Sequence, residues 1–132
     1  MKISQVMEVK VRTVGARDTL VEAARRMKWF SVGALPVVED GKLVGMLTDR
    51  DIVTRVVSEG LKPAEVPCSV AMTRGAQVCR SDADILDAFR MMEEHGIHHL
   101  VVVDAFRRVV GIVSQDDLFS APEEEAAAAL TH

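Results

Sequence analysis

The stretch GMLTDRDI at residues 45–52 returns, changed but recognisable, as GIVSQDDL at 111–118. Residues 6–52 lie over 71–118 at an offset of 65 that becomes 66 after one inserted residue, matching Met7 with Met72, Ala23 with Ala88, Met27 with Met92, Leu35 with Leu100, Gly45 with Gly111 and Asp51 with Asp117. A repeat of this length constrains the fold more than any other feature. A unit of roughly 60 residues is marginal alone, and two such units gain stability by burying their apolar faces against each other. The expected architecture is therefore a pseudo-twofold pair.

Each copy has the same order of elements. DTLVEAARRM sets Leu20, Ala23, Ala24 and Met27 on one helix face, and DADILDAFRMM does the same with Ile85, Ala88, Phe89 and Met92. Thr19 with Glu22 has the form of a capping box, and Asp84 is the expected cap of the second helix. Two apolar strands follow in each copy, ALPVV and KLVGML, then HLVVV and RVVGIV. The first pair is joined by EDGK, whose Asp-Gly favours a tight hairpin. The second turn, DAFRR, is one residue longer. A further helix begins at each repeated motif, with DRDIVTRVVSEG expected to bury Ile52, Val53, Val56 and Val57 and to stop at Gly60. With VRTV and QVC as short first strands, both copies read strand, helix, strand, strand, helix, an α+β fold. The boundaries read as 1–60 for the first repeat, 61–70 for a proline-bearing linker, 71–121 for the second repeat and 122–132 for an acidic, alanine-rich tail.

Composition narrows the function. A net charge of −4 and the acidic run Glu123, Glu124 and Glu125 give no basic face for nucleic acid. No apolar run reaches membrane-spanning length, and the first residues, MKISQVMEVK, lack the long apolar core of a signal peptide. Cys68 and Cys79 alone do not form a disulfide framework. The expected protein is cytoplasmic. His95, His98 and His99 invite a metal reading, but a helix end and alternating strand positions do not converge, so no metal is assigned. No nucleophile and base stand at a telling spacing, so no catalytic residue is assigned. Met27, Met91 and Met92 read as core, and packing within the chain is the simplest use of Trp29 and Phe30.

The repeated sentence supports two readings. In the first, Thr48 with Asp51 and Ser114 with Asp117 are helix caps, although Asp reaches back less well than Glu. In the second, the same turn is a ligand site. The helix start offers N–H groups to phosphate, the hydroxyl adds a donor, and the carboxylate accepts from both hydroxyls of a ribose. Arg50 adds a cation that forks onto two oxygens. Gly45 and Gly111 mark a close backbone approach in the strand leading in. Capping and binding can coexist.

TVGARDTLVEAARRM, LPVVEDGKLVGMLTDRDI and MTRG…MMEEHGIHHLVVVD…VVGIVSQDDL together resemble the CBS-domain pair, or Bateman module, over roughly residues 3–120. The resemblance implies a stand-alone, non-enzymatic regulatory module that binds adenosine-containing ligands: AMP, ADP or ATP first, with NAD-type and S-adenosyl compounds as relatives. It requires no cofactor, forms a homodimer of pairs and passes occupancy to an unknown protein partner. Thr48, Asp51, Ser114 and Asp117 match the family's ribose-binding aspartate and its hydroxyl neighbour. The resemblance also implies pocket walls at Thr13, Gly33, Ala34, Leu35 and Pro36 in the first repeat and at Val78, Gly96, Ile97, His98 and His99 in the second. The second repeat departs from the first with Gln115-Asp116 for Asp49-Arg50, Val101 for Pro36 and Val78 for Thr13, so two unequal sites are expected. The competing function is a CBS-fold interaction module without a ligand.

Overall fold

The structure, a computed structural model, describes residues 1–75 and 77–119, and the tail read at 122–132 lies outside the described residues. The chain divides into two compact units, one of residues 12–76 and one of residues 1–11 with 77 onward. Each holds a three-stranded sheet with helices, the α+β arrangement that the repeat predicts.

In the first unit, β1 (Val14–Gly15) pairs in parallel with β2 (Ala34–Glu39), which pairs antiparallel with β3 (Lys42–Thr48). The β2–β3 hairpin turns through Asp40 and Gly41 at φ 52° and 78°, the left-handed pair that Asp-Gly accepts. Helix α1 (Leu20–Phe30) buries Leu20, Ala23 and Met27. Its cap is half of the predicted box: Thr19 Oγ1 accepts the Glu22 N–H at 3.3 Å, while the Glu22 carboxylate turns to Arg26 at 3.2 Å. Helix α2 (Asp49–Ile52) widens into a π-helical turn at Val53–Val57. Only Ile52 and Val56 are buried here. The expectation for Val53 and Val57 is corrected, at 57% and 55% exposed, because a helix this short turns a single stripe to the core. Trp29 is likewise 65% exposed rather than packed.

The second unit repeats the plan with β4 (Val78–Arg80), α4 (Ile85–His95), β5 (His99–Val103), β6 (Val109–Ser114) and α5 (Gln115–Phe119), where α3 is the short helix Cys68–Ala71 of the first unit. Strand order and sense are the same, and the register slips at Val37/Val38 and Val102/Val103 are equivalent. Asp84 caps α4 by accepting the Leu86 N–H at 2.9 Å, and all four predicted core residues of α4 are buried.

What joins each sheet is a segment from the other repeat. In the second unit the Met1 carbonyl accepts the Ile85 N–H (3.1 Å), Ile3 donates to Ala83 (2.9 Å), Ser4 to Ser81 (3.0 Å), and Glu8 bridges Ile112. In the first unit the Val66 carbonyl accepts from Leu20 (3.0 Å), Cys68 donates to Asp18 (2.8 Å), Ser69 to Ala16 (3.0 Å), and Thr73 bridges Met46. The two sets are the same contacts 65 residues apart. Residues 61–70, read as a linker, thus contribute Val66 and Cys68 to the first core, as Ile3 serves the second.

This exchange explains the repeated glycines. A Cβ on Gly45 would stand 2.7 Å from Met72 Sδ and 2.9 Å from the Thr73 carbonyl oxygen. One on Gly111 would stand 2.5 Å from Met7 Sδ and 3.1 Å from the Glu8 carbonyl oxygen. The close approach expected at these glycines is real, and it is made by the chain's own arm.

Candidate functional site

In each unit the last strand ends on a hydroxyl residue and the chain turns at once into a helix. Thr48, extended at φ −110° and ψ 160°, accepts the Asp51 N–H on Oγ1 at 3.1 Å and donates its own N–H to Asp51 Oδ2 at 3.0 Å. Ser114 and Asp117 close the same pair, at 3.1 Å and 2.8 Å. Both are complete capping boxes, so Asp reaches back as well here as Glu does elsewhere. A carboxylate has about four acceptor directions, and the box engages one. Asp51 Oδ1 also faces Arg55 Nε at 3.8 Å, with the carboxylate largely shielded from solvent.

The N–H following the hydroxyl closes onto the start of the middle strand. Asp49 donates to the Gly33 carbonyl at 2.9 Å, and Gln115 donates to the His98 carbonyl at 2.9 Å. Strand pairing sets Ala34 opposite Thr48 and His99 opposite Ser114. Asp49 and Gln115 are therefore site residues that the motif reading passed over. Their signal was position, directly after the hydroxyl, where a helix-start N–H must find a carbonyl.

The two lips differ. In the first unit Gly33 leaves the Asp49 carboxylate beside it, with Oδ2 3.2 Å from where a Cβ would stand, and Asp49 Oδ1 accepts the Arg50 N–H at 2.8 Å. Arg50 is exposed, and its guanidinium has no ion-pair partner among the described residues. In the second unit His98 Nδ1 lies 3.0 Å from Gln115 Oε1, and His98, His99, Ser114, Gln115 and Asp116 line an open cleft of about 290 Å³.

The other predicted wall residues sit around these turns in different ways. Thr13 leads into β1 and its carbonyl accepts from Arg26 at 2.6 Å. Leu35 and Pro36 are buried, and the Leu35 side chain belongs to the first core. Val78 begins β4 opposite Val101. Gly96 is the left-handed end of α4, and Ile97 packs against the second core. Among the described residues no three His, Cys, Asp or Glu side chains are grouped to hold a metal ion, and no helix is long and apolar enough to cross a membrane. Burial pushes both the Cys68 and Cys79 thiols up to about 11, the Asp18 charge adding to the effect at Cys68, so neither is a poised nucleophile.

The sequence model of the CBS domain matches twice, at residues 3–58 and 65–124. The chain belongs to the CBS domain family. It is 39% identical to the CBS domain-containing protein YhcV of Bacillus subtilis (strain 168), over 98% of this chain and 93% of that protein. The crystal structure of Hypoxic Response Protein I with two coordinated zinc ions is 32% identical, covers 92% of this chain and 99% of its own, and superposes with a TM-score of 0.81. The CBS domain pair of protein MJ0100, solved in complex with 5′-methylthioadenosine and S-adenosyl-L-methionine, is 28% identical over 91% of this chain and 94% of its own, with a TM-score of 0.72. The matched structures are CBS domain pairs, as the resemblance implied.

Proposed function

We propose that this CBS pair is a non-catalytic regulatory module that binds an adenosine-containing ligand at its strand-to-helix turns and signals occupancy to a protein partner. The observation that carries the reading is the turn itself, built twice with a hydroxyl and a carboxylate three residues apart. A carboxylate accepts more than one hydrogen bond, which suits the paired hydroxyls of a ribose. Arg50 supplies charge for a phosphate at the first turn. The ligands named for MJ0100, both adenosine derivatives, agree with this chemistry. AMP, ADP and ATP are the first candidates, with S-adenosyl compounds next. A ligand transmits a signal only when it binds two arrangements of the protein unequally.

Titration calorimetry with each nucleotide, on the wild type and on Asp51→Asn and Asp117→Asn, tests the reading. Asn retains a capping oxygen and loses the second carboxylate acceptor, so binding falls while the fold persists. A second reading, an interaction module without a ligand, is favoured by one observation: both carboxylates already close a cap. It also fits the exposed Trp29, Val53 and Val57, which offer apolar surface for a homodimer or another partner. It predicts no heat with any nucleotide.

A further inference from the structure

The sheet of the second unit has two ends. His99 and Ser114 mark one, and Val103 with Val109 mark the other, beside the end of β4. At this far end Val78, Cys79, Arg80, Val103, Asp104, Ala105 and Arg107 line a cavity of about 330 Å³.

The loop over it is built around one carboxylate. Asp104 Oδ1 accepts the Phe106 N–H at 2.8 Å and the Arg108 N–H at 2.9 Å, and the Asp104 carbonyl accepts from Arg107 at 3.1 Å. These bonds force Arg107 to φ +66°, a left-handed backbone that a side chain with a Cβ resists. The first repeat meets the same need in its hairpin with Asp40 and Gly41. The loop sets Arg107 among the residues that line the cavity. Among the described residues Arg107 has no ion-pair partner.

The charges differ in the same sense. Arg80 and Arg107 line the cavity with Asp104, and Arg108 stands over the Phe106 ring at 5.8 Å. Asp82 pairs with Arg80 at 3.1 Å, and Asp104 is occupied by the loop's N–H groups. In the first repeat the place of Arg80 is taken by Gly15, whose N–H goes to the Asp18 carboxylate at 2.8 Å. The pair of arginines therefore belongs to the second repeat and is not a by-product of the shared fold.

We propose that this far end of the second sheet is a second ligand site, one that takes a small anion of the phosphate class between Arg80 and Arg107. Guanidinium groups fork onto phosphate oxygens, and Val78, Val103 and Ala105 line the same cavity.

The test is a titration of isotopically labelled protein with sodium pyrophosphate, followed by backbone amide shifts. Saturable shifts are expected at Arg80, Val103, Ala105 and Arg107, unchanged by excess adenosine. Arg107→Gly, which relieves the strained backbone, and Arg80→Ala should each weaken binding at least tenfold while the rest of the spectrum keeps its native dispersion. Three results would overturn the proposal: no saturable shift at these amides up to millimolar pyrophosphate, shifts centred instead on residues 114–117, or displacement by adenosine. Variants that bind as the wild type does would overturn it equally.

Discussion

The first strand-to-helix turn rests on Gly33 and Asp49, while the second rests on His98 and Gln115. Their caps agree to within 0.2 Å, with the Thr48 N–H at 3.0 Å and the Ser114 N–H at 2.8 Å from their aspartates. The backbone of the turn is thus one solution used twice, and the side chains at its lip are free to differ. Identity between the repeats marks what the fold demands. Difference is confined to the lip: an aspartate carboxylate beside a glycine in one, an imidazole 3.0 Å from a glutamine oxygen in the other.

The sharpest way to break this comparison is through the arms. Ile3→Ala removes a fully buried side chain from the second core and should cost about 2–5 kcal/mol in urea unfolding. Its counterpart Cys68→Ala removes one sulfur from the first core and should cost markedly less. Equal losses would mean that the two arms do not carry equivalent cores. The glycines come next. Gly45→Ala and Gly111→Ala should each cost about 1–3 kcal/mol by overpacking. The first should be the worse, because the Thr73 carbonyl oxygen at 2.9 Å cannot swing aside as a methionine sulfur can.

The thiols test both units at once. Each folded thiol holds its proton to about pH 11, whereas an unfolded one releases it near the ordinary value of 9.0. The stability they contribute is complete below pH 9.0 and drains as pH rises toward 11. Each contributes a slope of up to about 1.4 kcal/mol per pH unit. Replacing either with alanine should flatten the alkaline limb of a stability profile, and an unchanged limb would refute the burial argument. Smaller still, Asp51→Ala and Asp117→Ala should each cost about 1 kcal/mol as lost caps, with the Asn variants in between. Exposed His98→Ala should stay within about 0.5 kcal/mol of the wild type while changing ligand preference at the second turn.

Much of this fold is legible in the sequence. Apolar spacing gave both long helices, and Asp40-Gly41 gave the first hairpin. The motifs in the two copies carried the resemblance to the CBS-domain pair. Other features were hidden for physical reasons. Met7 and Met72 align between the copies, but alignment cannot say which sheet a segment joins, so the exchange of arms and the role of residues 61–70 were invisible. Gly45 and Gly111 announced a close approach without naming what approaches. Val53 and Val57 carry the same apolar character as Ile52 and Val56, and only the direction of a short helix separates them. At the turns, the hydroxyl and the aspartate were legible because their chemistry is distinctive. Asp49 and Gln115 were not, because they act there through a backbone N–H that every residue but proline possesses.

The central claim is that the repeated turn, beyond capping a helix, holds an adenosine-containing ligand. The most direct measurement is thermal unfolding of the purified protein with AMP, ADP, ATP, NAD and S-adenosylmethionine, repeated on Asp51→Asn and Asp117→Asn. A nucleotide present at 100 times its dissociation constant should add about 2.7 kcal/mol, a shift of several degrees. The account predicts such a shift with at least one of these ligands, reduced in one aspartate variant more than in the other because the lips differ. No shift with any of them at millimolar concentration, or a shift that both variants retain in full, would contradict it.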